Sequence, residues 1–298
     1  MKIARRDVVY NEHSRFNKPG LVVEPKEEFI IETELCSGDW LKSNEDRFDL
    51  SKIRGCNPCV CVEIKGANPG SILAVKILDI QVNNIGFTGF DISFNPLATY
   101  IYPRQWGLTT KTVEIKDGYI HWSEKLKLPV KPMIGTIGTA PESEVLSNSR
   151  GGFHGGNMDA NEVAAGSTVY LPVSVPGALL HVGDVHAIQG DGEISNGGGI
   201  ECRATIRLVV DVVDKPVRMN CVRIEDNDYI MAVACLGTVE ESFYHAAREI
   251  LCWMVDSYGF TYEEAFLLMS QVMEARCTQF VNPTRTYICK MPKKYLIC

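Results

Sequence analysis

Residues 131–203 are dominated by glycine and turn-forming residues and show little helical periodicity. Glycine in a helix interior costs about 1 kcal/mol relative to alanine, so this stretch reads as short strands and loops. Chemistry often sits in such segments, because backbone can approach a ligand closely where no Cβ intervenes. On either side the apolar pattern is of another kind. Before it, residues 29–34, 59–65 and 71–82 alternate with period two, as half-buried strands do. Gly66-Ala67-Asn68-Pro69-Gly70 is a turn between the last two. Residues 112–122 read as a hairpin with Asp117-Gly118 as its tight turn. After it, residues 205–213 and 230–236 are strands again.

From residue 239 the period changes. Phe243, Ala246, Ala247, Ile250, Leu251, Met254 and Val255 fall on one helical face, and Gly259 ends it. Thr261 and Glu264 form the capping-box pattern of a second helix, with Ala265, Phe266, Leu268, Met269 and Val272 on its apolar face. These helices are expected to pack on a sheet, with the methionines as core filler. The expected fold is therefore mainly β: a β-sandwich, jelly-roll-like, with an added C-terminal α+β part. Residues 1–130 form the sandwich-rich part. Residues 131–298 form the glycine-rich candidate active-site region and the α+β part, the two sharing one core.

Charge and composition limit the partners. A formal charge of −7, with no basic cluster longer than Lys293-Lys294, argues against nucleic acid, whose binders concentrate cationic charge. No apolar run reaches the ~18 residues of a membrane span, and the N-terminus lacks the apolar core of a signal peptide. Eleven scattered cysteines read as reduced thiols in a cytoplasmic protein. Cys56-Asn57-Pro58-Cys59 is half of a zinc motif with no second pair to complete it. These cysteines are expected to belong to a strand.

The side chains capable of chemistry gather in the glycine-rich stretch. Asp184 and His186 are two apart and share a face if residues 180–188 are extended. Asp191 and Glu193 follow on a glycine-flanked turn, and His154, Asn157 and Asp159 lie on another loop. With Glu201, this set suits a divalent metal such as zinc, a metal-free acid/base pair, or oxygen-only coordination of calcium. Against any such site stands the common role of Asp in loops, bonding its own backbone.

The string His154-Gly155-Gly156-Asn157-Met158-Asp159, then Gly166-Ser167-Thr168-Val169-Tyr170-Leu171-Pro172 through Gly183-Asp184-Val185-His186-Ala187-Ile188-Gln189-Gly190-Asp191-Gly192-Glu193, with Ile200-Glu201 beyond, is very similar to the signature stretch of the acetamidase/formamidase family. Weaker similarity extends to Asn57-Pro58, to Asn68-Pro69-Gly70 with the strand after it, and to Tyr258-Gly259-Phe260-Thr261. The resemblance implies a mainly β fold and hydrolysis of formamide, acetamide or a related short amide to ammonia and a carboxylate. It also implies a homo-oligomer. Two departures stand out. Ile194 and Ser195 occupy the place where members often carry a cysteine, and Ser195-Asn196-Gly197-Gly198-Gly199 is an altered loop that can change substrate choice.

On this reading Asp159, Asp184 and His186 are the metal ligands, for zinc or, failing that, calcium. Glu193 or Glu201 is the acid/base, Asn157 holds the oxyanion, and His154 is a further ligand or proton shuttle. Two rival readings are covalent catalysis by Cys202 or Ser167, and a non-enzymatic small-molecule or metal-binding protein of the same fold.

Overall fold

The strand Ser71–Val82 organises the molecule. Its alternation buries Leu73, Val75 and Ile77 while Ala74 and Lys76 stay accessible. It pairs along its whole length with Ala204–Asp214, from Ala204 opposite Val82 to Asp214 opposite Ser71, with one register shift after Arg207. The computed structural model describes residues 1–91, 97–101 and 108–297. Among them, nine strands form one sheet, in the order Lys2–Ala4, Glu28–Glu32, Ala204–Asp214, Ser71–Val82, Thr168–Pro172, Val222–Glu225, Tyr229–Leu236, Arg285–Pro292 and Glu274–Gln279. A second sheet of eleven strands is centred on Met133–Thr139 and Leu180–His186. Leu180–His186 is flanked by Glu201–Cys202 and, at its other end, by Val60–Ile64.

The two sheets enclose one core. Phe29, Ile31, Leu73, Val75 and Ile77 from the first join Val60, Val62, Ile134, Ile137 and Val182 from the second, all fully buried. Each such side chain contributes about 1.5–3 kcal/mol on burial. That core runs from Ala4 to Ile288, and strand pairs cross residue 130 in both sheets. The parts on either side of residue 130 are thus interleaved rather than side by side.

Residues 112–122 do form a hairpin, between strands Leu108–Lys116 and Tyr119–His121. Asp117 and Gly118 both take positive φ, 54° and 77°, the geometry that two-residue hairpin turns require. The helix Val239–Tyr258 begins with a capping box between Thr238 and Glu241 and ends at Gly259, φ 76°. The helix Tyr262–Val272 carries the Thr261–Glu264 box. Ala246, Ile250, Trp253, Met254, Ala265 and Met269 pack on Ile230, Ala232, Cys289 and Met291, a second core on the outer face of the first sheet. Cys59 and Cys61 are buried, with Cys61 on Val60–Ile64, whereas Cys56 is exposed. No helix among the described residues is long and apolar enough to cross a membrane.

Candidate active site

The strand Met133–Thr139 lies between Leu180–His186 and Gly155–Asn157. Gly135 sits where these strands bring Asp159 and Asp184 together. A Cβ at this position would meet Asp159 Oδ1 at 2.6 Å and Asp184 Oδ2 at 2.7 Å. The Gly135 carbonyl accepts the N–H groups of Met158 and Asp159, 3.0 and 3.2 Å away, which fixes the loop carrying the second acid. The expected strand forms over Leu180–His186, short of residue 188, and Asp184 within it departs from extended geometry with φ 58°. Asp159, Glu193 and Asn57 are also left-handed, at φ 48°, 35° and 47°. Four such residues in one site are unusual, since each costs about 1–3 kcal/mol and must be imposed by its surroundings.

These turns of backbone bring the acids and the imidazole to one point. A carboxylate oxygen each from Asp159 and Asp184 and a ring nitrogen of His186 lie within 4.8 Å of one another, all buried. His186 Nε2 is 3.1 Å from Glu201 Oε1 and 3.7 Å from Asp184 Oδ1. Polar neighbours hold the carboxylates. Asn57 Nδ2 and Thr136 Oγ1 donate to Asp184 Oδ2 at 3.0 and 3.1 Å, and Asn282 Nδ2 donates to Asp159 Oδ2 at 2.7 Å. The Asn157 amide satisfies both its ends when its nitrogen donates to Asp184 Oδ2 (2.9 Å) and Asp159 Oδ2 (3.2 Å) and its oxygen accepts from Asn57 and Asn282.

Burial of so many acids shapes their protonation. Burial drives the Asp184 carboxyl well above the usual range, and repulsion from Glu201 adds to it. Asp159 is raised by burial too, though His186 opposes the shift. Glu193 is pushed well above its ordinary value by burial and by Asp159, with which it shares a hydrogen bond. Two carboxyls can share that bond only if one of them keeps its proton. Burial works against charge on His186, but Glu201, Asp184 and Asp159 together raise it to about 10. Among the described residues no lysine or arginine pairs with these acids. Asp184 Oδ1, Glu193 Oε2 and Glu201 Oε2 are buried without a hydrogen-bond partner.

Unpaired carboxylate oxygens beside an imidazole nitrogen fit a divalent cation, which would take up negative charge that burial otherwise drives to protonation. The mixed nitrogen and oxygen donors fit zinc better than calcium. Asp159, Asp184 and His186 would hold it.

The remaining sequence candidates divide. Glu193 and Glu201 are at the cluster. Asn157 is also there, but its N–H groups face the two aspartates. His154 lies in a separate cluster of buried imidazoles, with ring centres 4.9 Å from His13 to His154 and 4.7 Å from His13 to His181. Burial alone lowers His154 to about 4, with no contribution from the acids. Asp191 is drawn off to Arg276 at 2.7 Å. Cys202 is buried with its thiol on Val185 O, and burial and Glu201 push it far above the thiol's ordinary value, which deprives it of the thiolate a nucleophile needs. The Ser167 hydroxyl donates to Ala164 O at 2.8 Å. Sequence reasoning assigned no role to Thr136, Asn282 or Cys36. Asn57 was visible only as part of the resemblance.

Comparison with known proteins identifies the family. A model of the acetamidase/formamidase family matches residues 6–152 and 149–294. The crystal structure of a predicted acetamidase/formamidase from Thermoanaerobacter tengcongensis superposes with a TM-score of 0.91 at 32% identity, covering 99% of this chain and 96% of the other. An acetamidase from Bacillus halodurans superposes with a TM-score of 0.91 at 30% identity, covering 98% of both chains. The acetamidase of Mycolicibacterium smegmatis is 27% identical over 274 residues, 70% of this chain and 67% of that protein. The match to a relative from Schizosaccharomyces pombe spans about half of its length, 49%. With the family match running over most of its length, the chain belongs to the acetamidase/formamidase family.

Proposed function

We propose that the chain hydrolyses the C–N bond of an amide to ammonia and a carboxylate, with a divalent cation, zinc by preference, held by Asp159, Asp184 and His186. The observation that carries this reading is the buried meeting of those three side chains, with Glu193 and Glu201 beside them and carboxylate oxygens left unpaired. The matched relatives named acetamidase and formamidase support it.

The cation would supply Lewis-acid activation of water and polarisation of the amide carbonyl. The chain's own residues do the rest. Asn57, Thr136, Asn157 and Asn282 fix the orientation of the aspartates. This makes Asn157 a positioning residue rather than an oxyanion donor. Glu201 orients His186 through their 3.1 Å contact. Glu193, whose carboxyl burial and Asp159 push well above its ordinary range, is suited to protonate the departing nitrogen. The water oxygen joins the acyl carbon, the C–N bond breaks, and the nitrogen takes the Glu193 proton and leaves as ammonia. The proton lost by the attacking water restores Glu193.

Glu193→Gln keeps the shape and removes the transferable proton. Ammonia release from the best amide is expected to fall by about 10²–10⁴-fold with an unchanged unfolding midpoint. Full activity in that variant removes Glu193 from the reaction.

A further inference from the structure

We propose that the substrate is a primary amide whose acyl group is large and apolar, rather than formamide or acetamide. This rests on the amide-hydrolase reading and goes beyond it by assigning the substrate class. The observation is a cavity of about 510 Å³ that meets the acid cluster at one end. There it is lined by Asn57, which donates to Asp184, and by Cys36, whose sulfur lies within 4.8 Å of carboxylate oxygens of Asp184 and Glu201. Its other walls are Phe48, Leu50, Ile53, Phe87, Phe90 and Leu108, with Phe87 next to Glu201.

Size and chemistry both favour a ligand larger than acetamide. Four heavy atoms occupy on the order of 100 Å³ if each takes about the share of a water molecule. The cavity instead falls within the ~300–1,000 Å³ of pockets that enclose much larger ligands. Its walls are also held in place. Phe87 stands opposite Glu201 in the sheet and stacks on Phe48 with ring centres 5.4 Å apart. Trp40 packs edge-on against Phe87 at 4.9 Å. Leu50 and Ile53, on and just after the short 3₁₀ turn Leu50–Lys52, are 60% and 46% exposed. Apolar surface of this kind gains when an apolar ligand covers it.

The altered loop forms part of the same wall. Asn196 and Gly197 line the cavity, the Gly197 N–H donates to Gly89 O at 3.0 Å, and the Ser195 hydroxyl donates to the same carbonyl. A second opening, beside Gln189, reaches the cluster through the Gln189 amide, which donates to the Asp159 carbonyl. Because the nitrogen leaves as ammonia, the bulk must be on the acyl side. The carboxamide then lies by Asn57 and Cys36, and the acyl chain or ring over Phe48, Phe87 and Phe90.

The test is kcat/KM for ammonia release from acetamide, hexanamide and phenylacetamide, on the full chain supplied with zinc. The expected result is at least a tenfold rise from acetamide to the two larger amides. Acetamide equal or better overturns the substrate assignment and leaves the hydrolase reading standing, as it would if a second copy of the chain sealed the cavity. No ammonia from any of the three overturns the hydrolase reading and this assignment with it. Because Leu50 and Ile53 lie at the surface, the double variant Leu50→Ala/Ile53→Ala leaves the core packing in place. It should lower the ratio of kcat/KM for phenylacetamide over acetamide at least fivefold, and an unchanged ratio overturns the placement of the acyl group.

Discussion

Two buried polar clusters lie on the same strands and have come to opposite states. Asp184 and His186 are on Leu180–His186, and so is His181. At one end the imidazole of His186 faces three acids and is raised to about 10. At the other, His181 is held neutral by burial, at about 4, with Nδ1 on the Leu179 carbonyl and Nε2 on the Asn17 amide. His13 and His154 are lowered as well. Burial acts in the same direction on these four histidines. The nearby carboxylates decide which of them is pulled back up against burial. The lesson is that a buried histidine indicates chemistry only when its neighbours are acids whose own oxygens lack partners.

The difference can be broken most severely at the acids. Asp184→Ala removes a proposed ligand that Asn57 and Thr136 hold in place. Amide turnover should fall by ~10³-fold or more, because the polarisation it would support amounts to several kcal/mol. Retained ammonia release above a tenth of the parent rate would show that the acid cluster is not the reacting centre.

Two glycines on the strand Met133–Thr139 sharpen the contrast. Gly135→Ala forces a methyl group onto Asp159 and Asp184 and should cost about 10²-fold in turnover, the usual effect of misplacing reacting groups by an ångström. Gly138→Ala places the methyl group 2.6 Å from Gly156 N and 2.9 Å from His13 Nε2, in the neutral cluster. It should lower stability by about 1–3 kcal/mol, read from the urea midpoint, while the folded fraction keeps its turnover. The reverse pattern would exchange the roles of the two clusters.

Acid should expose the neutral cluster. His154 and His181 have folded values of about 4 against 6.5 when free. The unfolded chain therefore binds more protons between these values, so their contribution is fully present above pH 6.5 and is lost as pH falls towards 4. The urea midpoint should drop over that window, and His154→Gln should make the drop shallower. An equally steep drop in the variant would mean that other groups carry it. The smallest effect belongs to Cys202→Ala. Turnover should stay within roughly twofold, since a buried thiol of raised pKa is inert; a large loss would revive covalent catalysis.

Much of this was legible in local pattern. The alternation of Ser71–Val82, the Asp117-Gly118 turn and the Thr261–Glu264 box each express a rule operating over a few residues, and each is found in the structure. The convergence of Asp159, Asp184 and His186 was readable as residue types amid glycine. Its means was not, because the left-handed backbone at Asp159 and Asp184 is imposed by packing around Gly135. Thr136 and Asn282 escaped notice because an ordinary polar residue gains meaning only from a contact as distant as Asn282 to Asp159. His154 sits five residues before Asp159 and shares its glycine-rich loop, yet it packs on His13, from near the start of the chain. Proximity in sequence pointed it towards the acids, and the strand pairing carried it away from them.

The central claim is that the acid cluster holds a divalent cation needed for amide hydrolysis. Elemental mass spectrometry of the purified protein, paired with ammonia release from a panel of primary amides before and after chelation, tests it most directly. The account predicts one zinc or similar ion per chain, lost together with turnover on chelation and restored with it, and absent from Asp184→Ala. Full ammonia release from chelated, metal-free protein would contradict it.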